Sequence, residues 1–392
     1  MLPTLPPRST SPYYSHGAFN ALSPVAVLYS AASQILFGLF LRATPWKLRI
    51  RGPVRKEASS LMPLDSKTSN NAKRRKVCIC TGSNCGIGFE TSKALVEQGY
   101  EVVLACRSRD KALRAVDAIN DSGSAGGSSG RAVFVHPLDL SSFDSVRSFC
   151  DAIKERYDCV DVLINNAGLN TSGKSERGLD LLFQSNFLGH FLLTEQLMDR
   201  LLEGGGGRVV NLSSVMHHYA DGWEAAPHQP HSYQYWKHIA QYNEERTQSS
   251  YTPSKLAALL FTLELNRRYG DRGLRSIAAN PGAVNSDIWR NTNKWLVKFF
   301  GLIYLTSVQG CSTSVAAATQ DFGKDNVEYL QPYYLPKWMK VAFPALEMLG
   351  PYVGWRITEP RLPEDGANGL NTAAHLWKAS EELAGCVFDD GK

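Results

Sequence analysis

The stretch K-V-C-I-C-T-G-S-N-C-G-I-G-F-E-T-S-K-A-L, residues 76–95, constrains the fold more than any other part of the chain. It opens with a short apolar run of β type, Val77 to Cys80, turns through glycines 82, 86 and 88, and continues as an amphipathic helix. Strand, tight glycine turn and helix together bring backbone N–H groups and a helix N-terminus against a pyrophosphate. Gly82 permits the turn, Gly86 lets the backbone approach phosphates, and Gly88 permits close helix–strand packing. A glycine-rich surface turn is the bland alternative, and the flanking strand and helix argue against it.

The pattern then repeats, which predicts a Rossmann-type, doubly wound parallel sheet of about seven strands. E-V-V-L-A-C-R is a second strand ending at Arg107, and A-V-F-V-H-P-L-D-L a third ending near Asp139. An acidic residue after the second strand would bond the ribose hydroxyls of an unphosphorylated cofactor. Arg107 removes that acceptor and offers a fork for a 2′-phosphate, so NADP(H) is preferred over NAD(H). Arg109 and Lys111 add positive charge, although all three could simply point into water. Asp139 could bond an adenine amino group or cap the helix that follows. D-V-L-I-N-N-A-G is a fourth strand with Asn165, Asn166, Ala167 and Gly168 at its carboxyl end, where ligands sit in such sheets. G-R-V-V-N-L-S-S-V is a fifth, ending at Ser213 and Ser214. L-R-S-I-A-A-N-P-G-A-V is a sixth, ending at Asn280, Pro281 and Gly282, and Y-L-Q-P-Y-Y-L supplies the seventh before a closing helix, A-A-H-L-W-K-A-S-E-E-L. S-G-S-A-G-G-S-S-G (122–130) is a low-complexity loop.

Tyr251 and Lys255 lie in Y-T-P-S-K-L-A-A-L-L-F, a helical pattern in which positions four apart share a face. A free tyrosine titrates near about 10, and a nearby cation favours its phenolate, so this pair suits a general acid/base.

The chain has 392 residues, 43% hydrophobic and 20% charged, with a net charge of +5. That suits one large α/β domain with appendages. No aromatic-interleaved basic stripe is present to argue for nucleic acid. The eight cysteines lack paired spacing and read as small buried hydrophobes rather than disulfides or zinc ligands. His217, His218, His228 and His231 form no set that requires a metal.

Residues 1–17 read as irregular, 18–45 as a membrane-associated segment, 46–74 as a basic and polar linker, and 75–392 as the dinucleotide-binding domain. Ala18 to Leu41 carries no charge and as a helix would span roughly 36 Å against a hydrocarbon core of about 30 Å. Several serines and Pro24 dilute it, so it could instead dip into one leaflet. Arg42, Lys47, Arg49 and Arg51 follow and place the catalytic domain in the cytosol. Residues 337–371 are an apolar, helical insertion that reads as a membrane-facing lid or a core extension. W-E-A-A-P-H-Q-P-H-S-Y-Q-Y-W, before Tyr251, is a surface loop or the wall of an apolar pocket.

In this order, T-G-S-N-C-G-I-G, N-N-A-G, a serine after the fifth strand and Y-x-x-x-K resemble the short-chain dehydrogenase/reductase family, from about Val77 to Ala317. A-C-R-S-R-D-K, S-N-F-L-G-H-F-L-L-T, N-L-S-S-V-M-H-H and T-S-V-Q-G-C-S-T-S-V resemble its retinol-dehydrogenase-like, membrane-associated branch. The resemblance implies catalysis by Tyr251, Lys255, Ser214 and Asn186, with Asn186 bracing Lys255 through water or serving only as a helix-kink residue. It implies cofactor contacts from Thr81, Gly82, Ser83, Asn84, Gly86, Ile87, Gly88, Arg107, Asp139, Asn166, Ala167, Gly168, Tyr251, Lys255, Pro281, Gly282, Val284 and Ser286. The implied reaction is NADP(H)-dependent interconversion of an alcohol and a carbonyl on a lipophilic small molecule. The implied setting is an endoplasmic reticulum, lipid-droplet or vacuolar membrane, and a homodimer is open. A sterol or long-chain ketone reductase is the alternative enzyme. A cofactor-binding organelle-morphology protein, similar to fungal members linked to lipid droplets and vacuole shape, is the alternative of another class.

Overall fold

The computed structural model describes residues 74–124, 130–222, 230–246, 248–282, 284, 305–322, 328–333, 354–357, 360, 362–363 and 369–388. Residues 1–73, with the membrane-associated segment and nearly all of the linker, lie outside them, as does Ser286.

The seven expected strands form: β1 (Val77–Thr81), β2 (Glu101–Ala105), β3 (Arg131–Val133), β4 (Val162–Asn165), β5 (Arg208–Leu212), β6 (Arg275–Ala279) and β7 (Tyr329–Tyr333). All pair in parallel, in the order β3-β2-β1-β4-β5-β6-β7. The order reverses between β1 and β4, so a crevice opens at their carboxyl ends, the binding place of doubly wound sheets. Cys80 faces Leu104 on one side and Ile164 on the other, and Asn165 faces Asn211. The ends of β1, β4 and β5 therefore lie at nearly one level.

An eighth strand, β8 (Gly354–Ile357), pairs antiparallel with β7, from Leu330 opposite Ile357 to Tyr333 opposite Gly354. It lies inside the insertion expected to be helical. Residues 354–357 of that segment extend the sheet edge, Leu370 and Asn371 begin the last helix, and 337–353 lie outside the described residues. The third strand is shorter than expected. Pro137 has no N–H to donate to a ladder, and Leu138 N instead reaches back to Cys106 O at 3.0 Å.

Side-chain alternation divides the core. Val77, Ile79, Val103, Leu163 and Val209 point to one face, against α3 (Phe143–Arg156), α6 (Tyr251–Tyr269) and α8 (Leu370–Ala384). Against this face also lies α4, a composite of Leu181–Phe183, a π-helical turn Gln184–Leu188 and Gly189–Gln196. Cys78, Cys80, Val102, Leu104, Ile164 and Val210 point to the other, against α1 (Gly86–Glu97), α2 (Arg109–Ser124) and α7 (Ser307–Thr319). The aromatic stretch before Tyr251 is not a surface loop over Tyr233–Trp236. It forms α5 (Tyr233–Ala240), with Tyr235 and Trp236 fully buried and Trp236 stacked on Phe183 at 6.4 Å. Glu382 of α8 accepts from Tyr233 and, at 2.5 Å, from Lys237, joining α8 to α5.

Candidate active site

The glycine turn is built for a bound anion. Gly82 and Gly86 both have positive φ, 66° and 60°, which side chains with a Cβ resist. A Cβ on Gly88 would stand 2.5 Å from both Gly82 O and Asn166 Nδ2, so the close packing is against the turn and the end of β4. α1 begins at Cys85 with no side-chain capping bond and no acidic residue in its first turn. Its leading N–H groups and partial positive charge suit a phosphate.

Beside the turn lies a cavity of about 520 Å³ lined by Asn84, Cys85, Arg107, Ser108, Lys111 and Arg114, among others. Three cations on one wall suit a phosphomonoester. Arg107 is largely exposed, with its guanidinium 3.9 Å from Asp139. Asp139 Oδ1 accepts from Ser141 N at 2.9 Å and Ser141 Oγ at 2.6 Å. One carboxylate oxygen thus serves a turn, and the other faces Arg107. Ser83 Oγ donates to Cys80 O at 2.8 Å and stabilises the turn from within. Ile87 packs on Val284, which bridges to Leu305. Gly282 N donates to Asn280 Oδ1 at 2.9 Å, holding the bend that contains Pro281.

Across the crevice Tyr251 starts α6 and Lys255 follows one turn later. The Lys255 ammonium lies 5.5 Å from the Tyr251 ring centroid and donates to Leu212 O at 3.0 Å, at the end of β5. Ser214 stands beside the Tyr251 phenol, near enough to favour its ionised form. Ser213 Oγ is committed elsewhere: it is buried and donates to Lys255 O at 2.8 Å. Of the two serines, Ser214 is the one whose hydroxyl is not committed to Lys255 O. Burial pushes the Tyr251 phenol up to about 12, opposed only by the neighbouring Ser214 hydroxyl. Burial likewise pulls Lys255 down to about 8. Both shifts disfavour charge, so desolvation outweighs the ammonium's pull on the phenol. At neutral pH the phenol keeps its proton and the amine remains mostly charged.

Asn186 sits in the π-helical turn of α4. Its side chain pairs twice with the backbone of Leu169, accepting from Leu169 N at 2.8 Å and donating to Leu169 O at 2.9 Å. It fixes the chain just after N-N-A-G with one N–H and one lone pair of its amide. A Cβ on Gly168 would lie 3.6 Å from Asn186 Oδ1 and 3.9 Å from Lys255 Nζ, so these groups surround the same backbone.

Several positioning groups escaped the sequence reading. Asp180 caps α4 by accepting from Phe183 N at 2.8 Å, accepts from Ser250 Oγ at 2.6 Å, and pairs with Arg246 at 3.7 Å. One carboxylate thus fixes the starts of both helices that carry the candidate catalytic groups. An Asp directly before L-L-F is an N-cap signal that could have marked it. A buried polar row also runs under α4 and α6. Asn165 Nδ2 donates to Asn211 Oδ1 at 2.8 Å and Thr194 Oγ1 at 3.1 Å, and Asn211 Nδ2 donates to Thr262 Oγ1 at 3.0 Å. Asn165 Oδ1 has no partner among the described residues, and Asn165 lines a void of about 10 Å³, room for roughly one water.

Comparison with known proteins agrees with this arrangement. Residues 76–226 match the family model described as short chain dehydrogenase. The chain is 35% identical to retinol dehydrogenase 11 of Mus musculus over 295 residues, 72% of this chain and 85% of that protein. It is 34% identical to retinol dehydrogenase 12 of Homo sapiens over 319 residues, 80% of this chain and 88% of that one. A crystal structure of an uncharacterized protein from Mycobacterium Paratuberculosis superposes with a TM-score of 0.55 at 29% identity, covering 81% of this chain and 95% of that one.

Proposed function

Because the chain belongs to the short-chain dehydrogenase/reductase family, and is thereby an oxidoreductase acting on CH–OH groups, we propose that it interconverts a lipophilic alcohol and its carbonyl with NADP(H). One observation carries the reading: Tyr251, Ser214 and Lys255 converge beside the carboxyl ends of β4 and β5, across the crevice from the glycine turn. The cationic wall of Arg107, Lys111 and Arg114 supports the phosphorylated cofactor. The lipophilic substrate is supported by relatives named for retinol, an apolar primary alcohol.

The fold implies a nicotinamide dinucleotide, and the residues present fit one. The uncapped start of α1 and the turn Gly82–Gly88 would hold the pyrophosphate, and Arg107 with Lys111 the 2′-phosphate. When bound, the nicotinamide ring donates or accepts the hydride. The protein's own part is proton and charge management. Tyr251 delivers its proton to the substrate oxygen in reduction and takes it back in oxidation. Its raised pKa keeps it a proton carrier through neutral pH. Ser214 donates a hydrogen bond to the same oxygen as negative charge grows there. Lys255 supplies the positive charge that stabilises the phenolate left behind. Asn186 and Asp180 position these groups.

The test is NADPH-dependent turnover across a panel of lipophilic aldehydes and ketones. Tyr251→Phe is expected to lower turnover on the order of 10³-fold or more while leaving NADPH binding within about threefold. Unchanged turnover defeats the mechanism. Arg107→Ala is expected to weaken NADPH binding about tenfold and NADH binding little. Equal losses for the two would overturn the NADP(H) assignment. A membrane surface is part of the proposal, resting on the uncharged run Ala18–Leu41. No helix among the described residues is long and apolar enough to cross a membrane. Deleting residues 1–45 is expected to free the protein from membrane pellets. A truncated chain that still pellets points to another anchor.

A further inference from the structure

His190 is buried in α4, one turn after Asn186, and both its ring nitrogens are engaged. Nδ1 lies 3.2 Å from Asn186 O, and Nε2 lies 2.9 Å from Thr81 Oγ1. A carbonyl can only accept, so Nδ1 carries a proton and donates. Thr81 Oγ1 already accepts from Asn166 N and Ala167 N, both at 2.9 Å. Those two bonds use both of its lone pairs. Its single proton has two possible acceptors: Ile164 O at the longer distance of 3.3 Å, and His190 Nε2 at 2.9 Å. Were it to go to Ile164, Nε2 would face Thr81 Oγ1 either as a buried acceptor with no donor or, if protonated, as part of a buried cation with no lone pair to donate to. Burial pulls the His190 pKa down to about 3, and the Lys255 charge adds to the effect. The ring is therefore neutral, protonated at Nδ1, and accepts from Thr81.

These bonds close a ring. Thr81 donates to His190, His190 to Asn186 O, and the Asn186 side chain pairs with Leu169. Leu169 is joined through Gly168 to Ala167 and Asn166, whose N–H groups return to Thr81. Asn166 Nδ2 also donates to Thr81 O at 2.7 Å, directly before Gly82.

We propose that His190 is a positioning residue that ties the π-helical turn of α4 to Thr81, and so holds the N-N-A-G segment and the glycine turn in their cofactor-binding arrangement. Nothing in the sequence reading assigned it a role beyond the stretch S-N-F-L-G-H-F. The inference rests on the dinucleotide reading above.

A binding cycle tests it, with NADPH as the probe and its fluorescence as the readout. His190→Leu removes both bonds and is expected to weaken NADPH binding about tenfold. In a Thr81→Val background the same substitution is expected to cost under about threefold, because the partner is already gone. His190→Gln, whose amide oxygen can accept from Thr81, is expected to stay within about threefold of wild type. Equal factors in both backgrounds, or a glutamine as damaging as the leucine, would overturn the proposal. If the variants fail to fold, nitrogen-15 NMR of the wild-type ring decides: Nδ1 protonation at neutral pH is expected, and Nε2 protonation or a doubly protonated ring refutes it. A wild-type chain that binds neither NADPH nor NADH defeats the proposed function itself, and this inference with it. A wild type that binds without the coupling defeats this inference alone.

Discussion

Beneath α4, α6 and α8 the sheet is covered by rings. Phe191 touches Phe187, Phe261, Trp377 and Phe388 at centroid distances of 5.0–6.1 Å, and Trp377 meets Phe388 at 4.4 Å. Beneath α1, α2 and α7 it is covered by Cys78, Cys80, Cys106, Ala112, Ala316, Ala317 and Ala318 with Val and Leu. Among the described residues no aromatic side chain is fully buried on that side; Phe89, Tyr100, Phe134 and Phe322 only border it. Each packing matches what its helices must do. Small side chains let α1 come close enough that Gly88 meets Gly82 and Asn166. Rings on the other face cover the buried polar groups Thr81, Asn165 and Asn211. Strand alternation puts these on the same side as Ile79, Leu163 and Val209. Excluding water there strengthens every hydrogen bond in the row.

The comparison is broken most directly at Phe191. Phe191→Ala should cost about 3–5 kcal/mol, because it removes a fully buried ring from contact with four others. Urea denaturation with an unchanged m-value measures it. A loss below about 1 kcal/mol would mean that the ring face can collapse around the hole and is not the rigid member of the pair.

Much of this architecture could be read from residues 76–95 and the strand endings. Alternation and glycines are local signals, and a local signal needs no knowledge of neighbours. Tyr251 and Lys255 were legible for the same reason, being four apart on one helix. What was not legible depends on contacts across the sheet. Nothing near His190 in sequence shows that Thr81, 109 residues away, holds the other end of its ring. The resemblance pointed to Ser214, but nothing local shows that its neighbour Ser213 is bonded to Lys255 O. β8 escaped because four residues inside an apolar segment carry no period that separates strand from helix. Asp139 held two readings, and its structural neighbours include a turn at Ser141 as well as Arg107.

Lys255 sharpens the comparison, since it places a charge under the ring face. Its pKa falls from 10.5 to about 8 on burial. The unfolded chain therefore binds more protons than the folded one between about pH 8 and 10.5, and stability rises with pH through that window. Below pH 8 the folded state carries the full cost of the buried ammonium. Lys255→Met removes that cost but leaves Leu212 O without its donor, so a net gain of about 2 kcal/mol is expected at pH 7. The gain should shrink as pH rises, vanish near about pH 9.5 and turn into a loss above it, where the ammonium costs less than the missing donor. Thermal melts of both proteins across this range test it. A gain that does not change with pH would assign the effect to packing and not to charge. The same amine predicts that kcat/KM for carbonyl reduction is level below about pH 8 and falls above it, since the phenol keeps its proton to about 12.

The smallest effect is expected on the other face. Cys80 is fully buried, yet its sulfur has only weak contacts, 3.8 Å to Gly88 O and 3.9 Å to Thr81 O. Burial holds the thiol neutral, with its pKa raised to about 12. Cys80→Ala deletes one atom of roughly methylene size from a face of small residues, so about 1 kcal/mol should be lost. If small residues serve only to let α1 approach, NADPH binding should be unchanged within about twofold, because alanine leaves the approach open. A large loss of affinity with little loss of stability would show that the sulfur itself holds the glycine turn. The cofactor side would then depend, like the ring face, on one particular buried side chain.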